Sequence, residues 1–414
     1  MTFVEAVKSL GTRYGIDVKL GEDDRDHDEL QRIRDFHTKT TDFFQDFLNK
    51  PSGDIVREYL KNRDISKNTI EEFQLGFAPN SWDKLLKFAR EIGIPGEIMK
   101  KSGLFIRTEK GEFDRFRNRL MFPIHNAGGQ VIAFGGRAIK SDDPAKYMNS
   151  PETVLYTKSR VFYGLNKTQK SIRKAGVAVL VEGYMDFLQL YQAGIDNVIA
   201  VAGTAFTESH VQQARKLARK MVLMYDGDSA GKNAAVRAGY MLLKGGVEPL
   251  IVNVPDNLDP DDWIRRDGLE RIEEQIESAQ TLIKFHIQMS GAEKMSPSER
   301  SDFIKEIIVQ VSRIQDNIFR NEIVRSVSDE MNIDEQILLR STGKEIIKKR
   351  KRQPENVSEH KNIQFSSQGE KAQLELVKLL AADDLSVRQK IREKVSLDIF
   401  SDPLLEKLAG FFFS

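Results

Sequence analysis

Apolar residues change their spacing several times along this 414-residue chain, and the changes divide it. Residues 1–20 predict a short amphipathic helix, a Gly-broken turn and an extended piece. Leu30, Ile33, Phe36, Phe43, Phe44 and Phe47 recur at near-helical intervals over 29–48, which predicts a helix with one apolar face. Ser52–Lys61 reads as a second helix, with Ile55, Val56, Tyr59 and Leu60 inside. Short helical pieces cut by Pro79, Gly93, Pro95 and Gly103 follow. Near residue 110 the pattern turns to alternation. RFRNRLMFPIHNAGGQVIAFGGRAI predicts a β-hairpin turning at Asn126–Gly129, with a loop over Lys140–Pro151 behind it.

Between 177 and 262 the pattern changes again. Three apolar runs, Val177–Val181, Val222–Tyr225 and Leu250–Val254, predict short buried strands separated by helix-like segments. That βαβα order implies a parallel sheet covered on both faces. Gly268–Arg340 is almost continuously helical in pattern, and 344–368 is polar and charged without apolar periodicity. The fold expected is multidomain, α/β and α+β. A mixed α+β subdomain (1–175) precedes a parallel-sheet α/β unit (176–262), then a helical subdomain (263–343), a linker (344–368) and a new helical segment (369–414). The apolar residues of that last segment, which ends in FFFS, have no visible partner element.

Charge refines this picture only locally. Lys and Arg (63) almost cancel Asp and Glu (62), so bulk charge points to no particular partner. The signs are segregated, however. Arg115, Arg117, Arg119, Arg137, Lys140, Lys146, Lys158 and Arg160 precede a run of carboxylates, and a second basic run, Lys344–Arg352, reads as a solvated linker with incidental nucleic-acid affinity. The chain has no cysteine, which excludes disulfides and thiolate metal sites and suits a reducing compartment. Six histidines stand without metal-ligand spacing, so zinc is not expected. No apolar run is long enough to span a bilayer, and a cytoplasmic location is expected.

Functional groups of parallel sheets gather at the carboxyl ends of the strands. Here those ends carry Glu182 and Asp186, then Asp226 and Asp228, then Asp259, Asp261 and Asp262. The aspartates of DGDSAGKNA, two residues apart just after a strand, project into one pocket, and Gly231 lets a helix start directly behind them. Carboxylates this close repel unless a cation bridges them, and Mg²⁺ prefers such oxygen ligands. An isolated DxD more often caps a helix; the carboxylates of the flanking strands favour metal here. A Walker A loop is excluded, because Asp226 stands where its first Gly is needed and Asn233 replaces the Ser or Thr. The first βα turn reads VEGYMD, so it is not a dinucleotide fingerprint either.

Glu182-Gly183 followed by Asp226-x-Asp228-x-x-Gly231 resembles the Toprim domain of primases, topoisomerases and some nucleases. VEGYMDFL, VAGTAF, DGDSAGKNAA and NLDPDDWIRRDG resemble its bacterial DnaG-type primase version, as do RFRNRLMFPI, GGRAI, KYMNSPET, KSRVFYGLN, YLKNRDIS and LGFAPNSWDKLLKF. The resemblance runs from about residue 3 to the end. It implies an enzyme that copies single-stranded DNA into short RNA primers from ribonucleoside triphosphates, with two or more Mg²⁺ or Mn²⁺ ions, acting as a monomer beside a replicative helicase. Metal ligands are expected among Glu182, Asp186, Asp226, Asp228, Asp259 and Asp261, with Asp226, Asp228 and Asp259 foremost. Glu182 is expected either as a ligand or as the group that manages the proton, and Asp186 as support from one helical turn behind it.

The resemblance also gives the basic residues a partner. Arg115, Arg117, Arg137, Lys146, Tyr147, Asn149 and Lys158 match positions that hold template and nucleotide phosphates, and Arg115 and Arg117 are expected on one face of a strand. Trp82 and Trp263 read as structural. The family's cysteine-ligated zinc module has no counterpart here, and 369–414 resembles only the opening helices of its helicase-binding domain, so a core lacking both ends is expected. Two other functions compete. One is a topoisomerase or nuclease on the same scaffold, for which no nucleophilic tyrosine context is seen. The other is a non-catalytic single-strand-binding or helicase-adaptor fragment, which a full acidic set argues against.

Overall fold

The structure, a computed structural model, describes residues 22–352 except 110, 140–142, 144 and 204, together with scattered positions from 373 to 412. The helix expected within 1–20 lies outside the described residues. The chain forms two compact units, 1–346 and 347–414. In the second, Leu380, Ile391, Phe400, Leu405 and Ala409 bury one another and Phe412 packs against them. These end-of-chain apolar residues thus have partners, against the sequence expectation. Most of 353–414, including the expected linker and helicase-binding segment, lies outside the described residues. The linker does not begin at 344, because the helix Glu335–Arg352 carries the chain through that point.

In the first unit, α1 (Glu22–Asn49) buries Ile33, Phe36, Phe43 and Phe44 with the strands β1 (Gly76–Ala78), β4 (Arg119–His125) and β5 (Val131–Ala138). The last two form the hairpin that the alternation announced, joined antiparallel from Arg119–Ala138 to His125–Val131. Two further short strands, β2 (Phe105–Thr108) and β3 (Gly111–Asp114), make a separate ribbon. The expected loop after β5 contains a strand, β6 (Tyr147–Asn149), which pairs with Gly135–Arg137. Its three residues are too few for periodicity to reveal.

The parallel sheet follows. Its strands are β7 (Val177–Val181), β8 (Val198–Ala200), β9 (Lys220–Leu223), β10 (Glu248–Ile251) and β11 (Gln280–Thr281), in the order β11-β10-β9-β7-β8. All pairs are parallel except β10–β11. Only β7, β9 and β10 were legible beforehand; β8 and β11 are short enough to be decided by pairing.

Alternation sorts these strands between two cores. Ala178, Leu180, Met221 and Leu223 face one cluster with the C-terminal helices, whereas Val179, Val181, Val222 and Met224 face the N-terminal subdomain. The second contact is intimate. Tyr184, at the start of helix α2 (Tyr184–Ala193), stacks on Phe122 with centroids 4.6 Å apart. A Cβ on Gly135 of β5 would stand 2.3 Å from its hydroxyl oxygen. The two sheets are therefore locked through one aromatic ring. Among the described residues no helix is long and apolar enough to cross a membrane.

Gly135→Ala should overpack this contact and cost roughly 1–3 kcal/mol, read as a lower urea midpoint with unchanged m-value.

Candidate active site

The strands β7, β9 and β10 end at one level, since Leu180 pairs with Leu223 and Leu223 with Ile251. From β7 the chain goes to β8 on one side, and then to β9 and β10 on the other. The crevice between the carboxyl ends of β7 and β9 is thus the topological switch point, the usual ligand site of such sheets. Glu182 follows β7 directly, and Asp226 stands three residues beyond β9.

Helices anchor the remaining carboxylates. Asp228 caps α3 (Ser229–Lys244), its Oδ1 accepting from Gly231 N at 2.7 Å. Asp259 caps α4 (Pro260–Asp267), accepting from Asp262 N at 2.7 Å. The positive end of each helix favours an anion there. Gly231 is required, because a Cβ would lie 2.3 Å from Asp226 O. Asp186 is buried and both its oxygens accept backbone N–H groups, Oδ2 from Gly183 at 2.9 Å and Oδ1 from Asp261 at 3.3 Å. It ties the start of α2 to the start of α4. Asp261 is also buried, and its Oδ2 takes Arg63 Nη1 at 2.6 Å. Arg63 also reaches Asp262 at 3.1 Å.

The electrostatics fit a gathered acidic centre. Burial, with Asp226 and then Asp228 nearby, pushes the Glu182 carboxyl up to about 7, although it accepts from the Asp226 backbone N–H. Burial, then Asp259 and Asp228, push Asp226 up to about 6, against the pull of Lys146. Asp186 is driven well above the usual carboxylate range by burial and by Asp226, Asp259 and Asp261. Glu182 Oε1 and Asp261 Oδ1 are buried without a hydrogen-bond partner, and Asp259, Asp261 and Asp262 each offer an oxygen within 4.8 Å of the others. Crowded carboxylates with unpartnered oxygens are the donor set of a hard divalent cation, so the residues present fit one. Arg63 already neutralises part of the Asp261–Asp262 side, which leaves Glu182, Asp226, Asp228 and Asp259 as the less compensated group.

The N-terminal subdomain supplies the facing wall. Lys146 is exposed and acts on Asp226. Arg137 lies over the ring of Tyr59 (4.6 Å) and that of Tyr147 (5.4 Å), and donates to the Tyr147 hydroxyl at 3.1 Å. Asn149 is occupied structurally: it accepts from the Tyr184 hydroxyl and donates to Ala202 O, both at 2.8 Å. Ala202 adopts φ 50°, a left-handed conformation that a non-glycine residue rarely holds, and its N–H donates to Glu182 O at 2.9 Å. Lys158 sits in a short 3₁₀ turn, with its backbone N–H on Glu152.

Arg115 and Arg117 do not share a strand face. β3 stops at Asp114 and β4 starts at Arg119, with Asn118 at φ 52° between them. Arg115 donates to Gly103 O at 2.9 Å, and burial alone lowers its pKa. Arg117 instead lies 4.0 Å over the Trp82 ring. Trp82 is 61 % exposed and edge-on to Phe113. A cavity of about 740 Å³ opens among Trp82, Phe113, Ile106 and Arg117. The sequence reading did not single out Arg63, placed Tyr59 inside a helix and read Trp82 as structural. YLKNRDIS and LGFAPNSWDKLLKF held them, but nothing in their spacing told an exposed ring from a core one.

Residues 43–169 match the family model described as "DNA primase catalytic core, N-terminal domain", and 179–264 match "Toprim-like". A DNA primase of Halalkalibacterium halodurans is 36% identical over 345 residues, covering 80% of this chain and 57% of that protein. The chain thus spans a little over half the length of this relative and of a DNA primase of Staphylococcus epidermidis that is 34% identical to it. A solved DnaG primase catalytic domain bound to ssDNA superposes with a TM-score of 0.67 at 32% identity, covering 75% of this chain and 99% of that one. A DNA primase domain from Pseudomonas aeruginosa gives 0.69 at 31% identity, with 75% and 99% covered.

A carboxyl whose folded pKa lies above its unfolded value holds extra protons in the native state, so stability falls as pH rises between the two values. Without divalent ions, the unfolding midpoint should therefore decline from about pH 4 to about pH 7 as Asp226 and Glu182 ionise. Asp226→Asn should flatten that decline and raise the midpoint at pH 8; Mg²⁺ should raise the wild-type midpoint and the variant's less. Thermal unfolding across pH, with and without Mg²⁺, measures this.

Proposed function

The chain belongs to the DnaG-type DNA primase family, and from that premise we propose that it is the catalytic core of a primase, joining ribonucleotides on a single-stranded DNA template. One observation carries this reading: carboxylates from three strand ends converge at the sheet's switch point and face a cationic wall from a different subdomain. Nucleotidyl transfer needs both halves, one for metal ions and one for phosphates and template.

In this reading Asp226, Asp228 and Asp259, with Glu182 and Asp261 beside them, hold two Mg²⁺ or Mn²⁺ ions. Such ions supply Lewis-acid charge to the attacking and leaving oxygens of an in-line displacement. Lys146 and Arg137 bind the triphosphate, Arg137 being held over the rings of Tyr59 and Tyr147 so that its guanidinium is pre-oriented. The primer's 3′-oxygen forms a bond to the α-phosphorus, the bond to pyrophosphate breaks, and the hydroxyl proton passes to Glu182 Oε1. That oxygen is unpartnered, while the Asp226 N–H steadies the same carboxylate. Asp186 acts as a positioning residue through its two backbone contacts, and Asn149 does so through Tyr184 and Ala202. Exposed Trp82, with Arg117 above it, offers the template a stacking surface.

A template, NTPs and Mg²⁺ are expected to yield labelled oligoribonucleotides. Cut or relaxed DNA would instead indicate a nuclease or topoisomerase, and DNA binding without synthesis an adaptor. Asp226→Asn/Asp228→Asn should abolish synthesis with folding intact; primers from a well-folded double variant would sink the assignment. Trp82→Ala should weaken single-strand binding by about 1–3 kcal/mol with little change in salt dependence, whereas Lys146→Ala should make the salt slope shallower. Titrations at several ionic strengths separate the two.

A further inference from the structure

Arg63 reaches the acidic centre from the N-terminal subdomain, and no step described above uses it. It directly follows the helix Asp54–Asn62, and its Nη1 meets two carboxylates of α4, Asp261 Oδ2 at 2.6 Å and Asp262 Oδ1 at 3.1 Å. We propose that Arg63 is a cation placeholder: it occupies one metal position until a divalent ion takes Asp261, and so makes that position the weaker of two. The inference rests on the metal-ion part of the reading above and names what makes the two ions load unequally.

Three observations support it. First, Arg63 leaves Asp261 incompletely served. The Asp261 side chain is 2 % exposed, and while Oδ2 takes Arg63, Oδ1 is buried with no hydrogen-bond partner. Asp259, Asp261 and Asp262 can each bring an oxygen within 4.8 Å of the others, a spacing that one divalent ion can span. Second, Arg63 can yield Asp261 without being stranded. Asp262 is half-exposed and already within its reach, so the guanidinium keeps a carboxylate when the ion arrives. The backbone that carries it is meanwhile fastened to the α/β unit. Gln189 donates to Arg63 O, Gln192 to Asp64 O at 2.9 Å, and Arg265 to Asn62 O at 3.1 Å. The exchange is therefore a side-chain movement, with the subdomains staying in contact. Third, the opposite side of the centre carries no such occupant. The cation that acts on Asp226 is Lys146, which is exposed and therefore screened by water and salt. An ion entering among Glu182, Asp226 and Asp228 displaces no buried pair, whereas an ion taking Asp261 must.

The test titrates Mn²⁺ into the full chain at fixed pH, without nucleotide or DNA, and reads free ion by electron paramagnetic resonance. The wild type should bind one ion tightly and a second at least about tenfold more weakly. Arg63→Gln should tighten the second step by about tenfold, since one charge pair no longer competes for Asp261, and Arg63→Lys should restore the weak step. A merely structural Arg63 predicts the opposite sign: the glutamine variant would lose support for Asp261 and bind the second ion more weakly. Thermal unfolding checks that the variants fold. In the wild type itself, the Arg63 guanidinium ¹⁵N signals, assigned with Arg63→Lys, should shift with the weaker Mg²⁺ step and not with the tighter one. Two equal steps in the wild type, an unchanged or weaker second step in Arg63→Gln, or guanidinium signals that ignore Mg²⁺ would overturn the placeholder and leave the metal reading standing. A wild type that binds no ion would sink the metal reading, and this inference with it.

Discussion

Mutual repulsion among carboxylates is the constraint on which this molecule turns. Glu182, Asp186, Asp226 and Asp261 are all raised in pKa first by burial, so each charge placed at the sheet's end is opposed by its surroundings. The fold answers with local positive potential. Two helix N-termini point at the centre and are capped by Asp228 and Asp259 themselves, Arg63 reaches Asp261 and Asp262, and Lys146 acts on Asp226. These groups offset the repulsion only in part. The remainder is what makes the centre a good cation site, because an ion gains most where charge is least compensated.

Such an arrangement requires a rigid frame, and the frame is the contact between the two sheets. Tyr184 occupies its pivot: stacked on Phe122, pressed into the groove left by Gly135, and hydrogen-bonded to Asn149. Asn149 carries the link onward to Ala202, whose left-handed backbone bonds back to Glu182. The same strand, β6, that brings Asn149 to this link holds Tyr147 beside Arg137. One three-residue strand therefore both locks the subdomains and orients the cationic wall.

Much of the acidic half was legible in the linear chain. Buried strands show as apolar runs, and a carboxylate just after such a run must emerge at the strand's end whatever the rest of the chain does. Glu182, Asp226 and Asp228 could thus be placed from local pattern alone. The basic half was less legible. Arg115 and Arg117 looked like strand neighbours, but the positive φ of Asn118 breaks the strand between Asp114 and Arg119, and each guanidinium then finds a different partner. Trp82 was read as structural, but its exposure, set by its packing against Phe113 of the β2–β3 ribbon, was not legible in the chain.

By itself, then, the sequence determined the longer helices and the central strands, the strand ends that carry carboxylates, and the family to which their spacing belongs. Each follows from interactions between residues close in the chain. The tertiary structure alone decided that Arg63 lies against Asp261, 198 residues away, that Tyr184 joins two sheets, and that Asn149 is spent on the frame. These depend on distances between segments far apart in the chain, which only packing sets.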